Sequence, residues 1–212
     1  KTGKSGEQIV GSVRCEKGTA EGLTKGTMTL IDAEETKQLY QKIRPAVECS
    51  GGSAANTIAG LASLGGQGAF IGKVHDDQLG EVFRHDIRAL GVAFDTVAND
   101  SGPPTATAII LVTPDAQRTM QTFLGACVDL GPDDIDPEMI TNAKITYLEG
   151  YLWDPPEAKE AFIKAAGLAH ADGLDQHHVE AGRLEHQQGL AGGAGDAAER
   201  AGRRRWPDEG VW

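Results

Sequence analysis

The middle of this chain alternates between helical and strand patterns, and that alternation most constrains what it can fold into. In GGSAANTIAGLASLGG the apolar residues recur at helical spacing after a Gly-Gly-Ser opening, at Ile58, Leu61, Ala62 and Leu64. The AFIGKV that comes next predicts a short buried strand over residues 69–74. A helix that leads into a strand is the repeating unit of an α/β fold, with a parallel sheet and helices on both faces.

A second amphipathic helix is predicted in DDQLGEVFRHDIRALGV. Its large apolar residues share one helical face, namely Leu79, Val82, Phe83, Ile87 and Leu90. Asp76 and Asp77 stand at its N-terminus, where the helix macrodipole favours negative charge, and Gly91 ends it. The pattern therefore adds a second helix in the order expected of an α/β domain.

The segment after residue 104 predicts an antiparallel hairpin. TATAIILVT and QRTMQTFL are two β-prone runs, and the PDA at 114–116 joins them. Farther on, Asp136 and Pro137 supply an N-cap and a first-turn proline for a short helix. KITYLEGYLW then predicts a strand and PPEAKEAFIKAAGLA a helix. In such sheets, ligands bind beyond the carboxyl ends of the strands.

Periodicity divides the chain into an atypical N-terminal segment (1–22), a well-patterned domain (23–166) and a Gly-, Ala- and Arg-rich tail (167–212). The tail contains no Ile, Phe, Tyr, Met, Ser, Thr or Lys, so we expect it to build no strand and to be irregular. Its composition is not typical of a linker, and we interpret it as a reading-frame shift after about residue 166. The first segment lacks the apolar strand with which such domains begin.

Composition argues against several classes of partner and site. The formal net charge of -11 disfavours a phosphate backbone, so we expect no nucleic acid. There is neither a run of about 18 apolar residues nor a signal-peptide pattern, so we expect no membrane association. Cys15, Cys49 and Cys127 lack the spacing of zinc ligands or disulfides, which favours a reduced, cytoplasmic setting. The histidines lack ligand spacing too, so no metal site is expected.

The diglycine before the first predicted helix is the element that carries chemistry. Gly51 and Gly52 have no Cβ, so a ligand can approach the backbone closely, and Ser53 and Asn56 offer hydrogen bonds from the first turn. This arrangement suits a polyol. From spacing alone, a plain glycine-rich turn that caps a helix is an equally good interpretation.

Together with GAFIGKVHDDQLGEVFRHDIRALGV, this element resembles the first signature region of the ribokinase (PfkB) family of carbohydrate and nucleoside kinases. The resemblance continues through TLIDAEETKQLY, QRTMQTFLGACVDLGPDDID and ITYLEGYLWDPPEAKEA, and it is greatest to bacterial members of the adenosine-kinase type. It implies a three-layer α/β/α ribokinase-like fold, incomplete at the C-terminus. It also implies a small β-sheet lid, made of strands at about 24–31 and 105–124, which closes over the substrate.

The resemblance assigns Gly51, Gly52 and Asn56 to contacts with sugar hydroxyls, with Ser53 nearby. It implies that Arg118 faces the substrate or the transferred phosphate, since a guanidinium suits a phosphoryl group. For Arg118, a solvated charge on the lid is an equally good interpretation. A lid sheet of this kind can also serve as the interface of a homodimer.

The activity that the resemblance implies is transfer of the ATP γ-phosphoryl group to a primary hydroxyl of a nucleoside or furanose sugar, with adenosine favoured. Mg²⁺ and an Asp general base take part in the family, and the base lies in a late Asp-Thr-x-Gly-Ala-Gly-Asp motif. Only its final GAGD, ending at Asp196, is present here, and we interpret that match as a coincidence. The catalytic residue is therefore unassigned, with Asp196 as its only candidate. GEQIVGSVRC also lacks the Asp with which the family holds the sugar diol.

Two other functions stay open. The first is a catalytically silent fragment of such a kinase that only binds substrate or a partner; measurable turnover would remove it. The second is a nicotinamide-dependent dehydrogenase, because its fold class is similar, although the glycine-rich element lacks the G-x-G-x-x-G spacing. Tight binding of NADH would support that alternative.

Overall fold

A computed structural model describes residues 12–16, 23–43, 46–113, 115–171 and 178–182 of the chain. Four strands form one mixed sheet: β1 (Ser12–Glu16), β2 (Met28–Leu30), β3 (Thr107–Val112) and β4 (Arg118–Phe123). Two further strands form a separate parallel pair, β5 (Ile145–Glu149) and β6 (His178–Gly182). The α-helices of the described residues are α1 (Ala33–Lys42), α2 (Ser53–Ser63), α3 (Gln78–Ala89), α4 (Pro137–Thr141) and α5 (Pro156–Ala171).

The predicted hairpin is confirmed and lies at the centre of the mixed sheet. β3 and β4 pair antiparallel, with Thr107 opposite Phe123 and Val112 opposite Arg118. On the outer sides, β1 pairs parallel with β3 and β2 pairs parallel with β4, which gives the order β1-β3-β4-β2. Ile109 is completely buried at the middle of β3. Leu39 of α1 and Ile43, the C-cap of that helix, pack against the cluster that it forms with Leu111.

The predicted strand over residues 69–74 is not a strand of either sheet. The segment is extended but joins its neighbour only through two isolated parallel bridges, Ala69 with Ala93 and His75 with Asn99. Backbone hydrogen bonds connect the two segments near those ends, from Phe70 N to Ala93 O at 2.8 Å and from Asn99 N to Val74 O at 2.9 Å. An apolar run fixes the extended shape, whereas a ladder also needs a partner whose register matches along its whole length.

Three phenylalanines form the centre of the core between α2, α3 and these extended segments. The rings of Phe70, Phe83 and Phe94 lie with centroids 5.5 to 5.7 Å apart, two of the three pairs edge to face. Ile87 of α3 and Ala55 of α2 belong to the same buried cluster. The two helices that flank the candidate site therefore rest on one common core.

The apolar faces predicted for α2 and α3 are only partly buried. Ile87 is buried, but Leu79, Val82 and Leu90 of the same predicted face each expose more than two fifths of their surface. Leu64, expected on the apolar face of α2, is the helix C-cap and is 88% exposed. Helical spacing predicted which residues share a side of the helix, but burial depends on what packs against that side.

Strands occur in both end regions for which the sequence predicts none. β1 lies within residues 1–22 and pairs along its full length with β3, while β6 lies within residues 167–212 and pairs with β5. The expectation that the tail cannot build a strand is therefore wrong at His178–Gly182. In both cases the partner strand supplies the backbone hydrogen bonds, and such pairing overrides a weak side-chain preference.

Candidate functional site

The turn that leads into α2 brings four of the predicted site residues together. Gly51 is buried, Gly52 is the N-cap of the helix, and Ser53 and Asn56 are exposed on its first turn. Gly52 has φ +100° and ψ +140°, a region that is essentially restricted to glycine. The diglycine is therefore needed for the shape of the turn, in addition to leaving its backbone open to a ligand.

Within the part of the chain that the structure describes, no side-chain hydrogen bond caps the N-terminus of α2. The first hydrogen bond of the helix runs from Asn56 N to Gly52 O at 2.8 Å, so the amides before Asn56 precede the helical hydrogen-bond ladder. The first turn also contains no acidic residue. These free donors and the exposed Ser53 and Asn56 side chains suit a ligand that offers several hydroxyl oxygens.

Ser50 ties this turn to α3. Its hydroxyl donates a hydrogen bond to Oδ2 of Asp86, 36 residues later in the chain. The other carboxylate oxygen lies 3.1 Å from Nδ1 of His85. The hydrogen bond from Ser50, assisted by the one from His85, lowers the pKa of Asp86 below its ordinary value. The carboxylate therefore remains charged, which strengthens its hold on Ser50.

The N-terminus of α3 is capped and tied to the base of the hairpin. Oδ1 of Asp77 accepts from the Gly80 amide at 2.8 Å and from the Thr105 hydroxyl at 2.7 Å, and Oδ2 accepts from the Thr105 amide at 2.9 Å. Burial of Asp77 opposes ionisation, but the hydrogen bonds from Thr105 and Gly80 and the nearby His75 lower its pKa overall. One carboxylate thus joins α3 to the start of β3.

The chain that leaves the hairpin after β4 also returns to this junction. Ala126, just after β4, donates its amide to Pro104 O at 2.9 Å. Gly125 has φ +50°, and a Cβ there would lie 2.2 Å from Pro104 O, so only glycine fits. The start of β3 and the end of β4 are therefore both fixed near α3.

Arg118 lies at the loop end of the hairpin, as the first residue of β4, and its side chain is exposed. The adjoining loop is anchored to the approach to β2, since Lys25 Nζ lies 2.5 Å from Oδ2 of Asp115. The Lys25 hydrogen bond, with one from Thr113, lowers the pKa of Asp115 to about 2. Arg118 belongs to a different element from the α2 turn, and its proposed contact with substrate remains a prediction. Asp196 lies outside the described residues.

The described residues do not form an evident site for Mg²⁺ or for a nucleoside triphosphate. Within them, no group of three or more His, Cys, Asp or Glu side chains has the geometry to hold a metal ion. A shallow depression on α3 is lined by Glu81, Arg84, His85, Arg88 and Ala89 and contains no glycine-rich turn. The chemistry of ATP and Mg²⁺ is therefore assigned to none of these residues. Across the same part of the chain, no helix has the length and apolar character needed to cross a bilayer.

Sequence reasoning missed the contacts that hold the site in place. Asp77 was noted only for its position in the field of the helix, and Ser50, Asp86 and Thr105 were not noted at all. Each of these contacts joins residues 28 or 36 positions apart. No periodicity or local motif encodes such a pair, so only the tertiary structure could identify them.

Comparison with known proteins gives one family. Residues 25–179 match the sequence model of the pfkB family carbohydrate kinases. Among curated relatives, 5-dehydro-2-deoxygluconokinase from Shouchella clausii is 30% identical over 146 residues, which cover 68% of this chain and 45% of that protein. Probable fructokinase-4 from Arabidopsis thaliana is 27% identical over 129 residues, covering 60% of this chain and 40% of that protein. The chain thus spans less than half the length of these relatives.

Solved structures agree on the fold. The crystal structure of adenosine kinase from Sinorhizobium meliloti superposes with a TM-score of 0.74 at 50% sequence identity, covering 80% of this chain and 52% of that chain. A probable sugar kinase from Rhizobium etli CFN 42 gives a TM-score of 0.75 at 47% identity, with the same coverage. The predicted ribokinase-like α/β fold is therefore confirmed, and the matched region amounts to about half of each of these two chains.

Proposed function

Since this chain belongs to the pfkB family of carbohydrate kinases, we propose that it binds a nucleoside or furanose sugar for ATP-dependent phosphorylation of a primary hydroxyl. The observation that carries the proposal is the open N-terminus of α2, where Gly52 precedes a helix that has no side-chain cap. Gly51, Gly52 and Asn56 contact the sugar hydroxyls in this proposal, and Ser53 lies beside them.

Adenosine is the acceptor that we favour. The support is the 50% identity to the adenosine kinase from Sinorhizobium meliloti, which extends over 80% of this chain. The sugar kinase from Rhizobium etli is nearly as similar, at 47%. Ribose and fructose are therefore the alternative acceptors against which adenosine must be tested.

In this proposal, β2 and the β3–β4 hairpin of the mixed sheet form the lid over the substrate. Residues 23–166 form the substrate-binding part of the kinase domain. Both ends of the hairpin are held near α3, so it can move as one unit about that junction. Arg118 then faces the substrate or the transferred phosphoryl group, and the lid offers a surface for a homodimer. The general base is assigned to no described residue.

Two measurements on the 212-residue chain test the proposal. Calorimetric titration with adenosine, ribose and fructose measures binding, and release of ADP from ATP in the presence of Mg²⁺ measures turnover. We expect adenosine to bind most tightly and to stimulate ADP release, with NADH as the negative control. A folded sample that neither binds any of the three acceptors nor releases ADP would contradict the proposal.

Binding without turnover is the second candidate function. It is favoured because the general base is assigned to no residue that the structure describes. In that case titration gives saturable binding of a nucleoside while ADP release stays at the rate without acceptor. Acceptor-dependent ADP release would exclude this candidate.

A further inference from the structure

The turn that carries the candidate ligand contacts is held on both sides, by two different kinds of interaction. On its C-terminal side, Ala55 is buried in the phenylalanine cluster together with Ile87 of α3. On its N-terminal side, the Ser50 hydroxyl donates to Asp86, the residue next to Ile87. Between these two anchors lie Gly51, Gly52 and Ser53 of the candidate site, and Asn56 follows directly after Ala55. One short stretch of α3 therefore holds both sides of the turn.

An anchor at Ser50 matters because two glycines come directly after it. Consecutive glycines have the greatest backbone freedom of any pair, and ordering them costs correspondingly more conformational entropy. Gly52 must also adopt φ +100°, one of several conformations open to glycine. A fixed point directly before the pair restricts those alternatives before the ligand arrives, which lowers the entropy cost of binding.

Asp86 is suited to be that fixed point. It lies within α3, whose N-terminus is capped by Asp77 and whose Ile87 is only 4% exposed, so its backbone is rigid. Its carboxylate faces the Ser50 hydroxyl and the His85 ring, and it forms a charge-assisted hydrogen bond that is stronger than one between neutral groups. Asp86 is not among the residues proposed to touch the ligand, so it acts through Ser50.

We infer that Asp86 is a positioning residue which, through Ser50, holds the Gly51–Gly52 turn in its ligand-binding conformation. The inference rests on the proposed function for its effect on nucleoside binding. Its effect on the turn itself can be tested separately, because the hydrogen bond joins two residues of the chain and involves no ligand atom.

The test uses the 212-residue chain and one reporter atom. The Asn56 amide bonds to Gly52 O at 2.8 Å, so its hydrogen-exchange rate measured by NMR reports how well the turn is held. The Leu64 amide, at the other end of α2 and bonded to Gly60 O, is the internal control. The variants are Ser50→Ala, Asp86→Ala, their double variant, and Asp86→Asn, which keeps an oxygen that can accept from Ser50.

We expect Ser50→Ala and Asp86→Ala each to speed exchange at Asn56 by about tenfold, the factor that matches loss of one charge-assisted hydrogen bond. Leu64 should not change. The double variant should be no faster than either single variant, because both remove the same bond. Asp86→Asn should fall between the unmodified chain and Asp86→Ala, because it keeps an acceptor for Ser50 but loses the charge. Adenosine affinity should fall in the same order, by up to about tenfold.

Matched controls separate the turn from general loosening of the chain. Ser63→Ala removes an exposed serine hydroxyl of α2, one that donates to Gly60 O at 2.7 Å. Asp95→Ala removes a nearby carboxylate, which pairs with Arg88 at 3.1 Å. Neither should alter exchange at Asn56. Thermal melts establish that each variant is folded. If Asp86→Ala does not fold, Ser50→Ala still decides the test, because it removes the same hydrogen bond.

Three results would overturn the inference. Exchange at Asn56 that is unchanged in both single variants shows that the bond does not hold the turn. Additive effects in the double variant show that the two residues act separately. An Asp86→Asn variant as fast as Asp86→Ala shows that the acceptor for Ser50 is not what matters. If the unmodified chain binds no nucleoside or sugar, the proposed function fails, and the exchange rates still decide the role of Asp86.

Discussion

The two helices that rest on the phenylalanine core begin in opposite ways. At α3, Asp77 caps the first turn by accepting from the Gly80 amide and also bonds to Thr105, so the Gly80 amide is used within the protein. At α2, Gly52 stands at the N-cap, and no side chain among the described residues caps the first turn. The same unsatisfied donors arise at every helix N-terminus, so the difference lies in what is placed next to them.

This comparison distinguishes a structural helix start from one available to a ligand. A capped start contributes stability, and its substitution should lower the free energy of unfolding. An uncapped start with a glycine in a left-handed conformation contributes little to stability and leaves donors for a partner. Substitutions at α3 should therefore change stability most, and substitutions at α2 should change binding most.

The largest expected effect is at Gly80, in the first turn of α3. A Cβ there would lie 2.0 Å from the His75 carbonyl oxygen, a backbone atom that cannot move alone. We expect Gly80→Ala to reduce the free energy of unfolding by about 3 kcal/mol, measured by chemical denaturation. Gly60→Ala is the matched control within α2, because nothing lies within 4 Å of its added Cβ. It should stabilise the chain by up to about 1 kcal/mol, and equal effects at the two sites would contradict the packing argument.

Removal of the α3 cap comes next. Asp77→Ala should cost about 2 kcal/mol at pH 7, because it removes the cap and leaves the Thr105 amide and hydroxyl without their acceptor. The pKa of Asp77 is lowered in the folded chain, so the charged form stabilises the fold above the unfolded value of about 4. That contribution is lost as the pH falls through the folded pKa. The difference in the free energy of unfolding between the unmodified chain and Asp77→Ala should therefore become smaller below pH ~4.

The control for Asp77 is Asp32, which forms a capping box with Glu35 at the start of α1. Its side chain is exposed and, among the described residues, accepts from the Glu35 amide alone, at 2.7 Å. Asp32→Ala should therefore cost only about 1 kcal/mol, the effect of a local cap. An equal loss at the two positions would show that the tie from Asp77 to Thr105 adds nothing.

At the open helix start, Gly52→Ala should weaken adenosine binding by at least about tenfold, measured by calorimetry, because the turn must leave its left-handed conformation. The strain should also cost about 1 to 2 kcal/mol of stability. Gly65→Ala provides the comparison, since Gly65 has φ +86° with open space around it. It should show similar strain with unchanged binding. Loss of binding in both variants would mean that stability, and not the turn, controls affinity.

The smallest effect on stability is expected at Asn56. Its side chain is exposed on the first turn of α2, so Asn56→Ala should change the free energy of unfolding by less than about 0.5 kcal/mol. Adenosine affinity should nevertheless fall by about tenfold, the loss of one or two ligand hydrogen bonds. Thr57→Ala, one position farther along the exposed surface, should leave affinity unchanged. Normal affinity in Asn56→Ala would remove Asn56 from the candidate site.

Local patterns predicted much of the fold. The hairpin was predicted from two β-prone runs with a short loop, and α4 from Asp136, which caps it, and Pro137, which opens it. The prediction of a strand over residues 69–74 was wrong, since that segment makes only isolated bridges. In the candidate site, the diglycine and the helix after it were predicted, while Ser50 and Asp86 were not.

The sequence by itself determined the features that depend on neighbours a few residues apart. These include the cap at Asp136, the helical spacing of α3, the diglycine before α2, and family membership. Only the tertiary structure decided which apolar residues are buried, where β1 and β6 pair, and that one helix ties both the α2 turn and the hairpin. The reason is physical: a cap closes over three residues, whereas these contacts depend on how distant segments pack together.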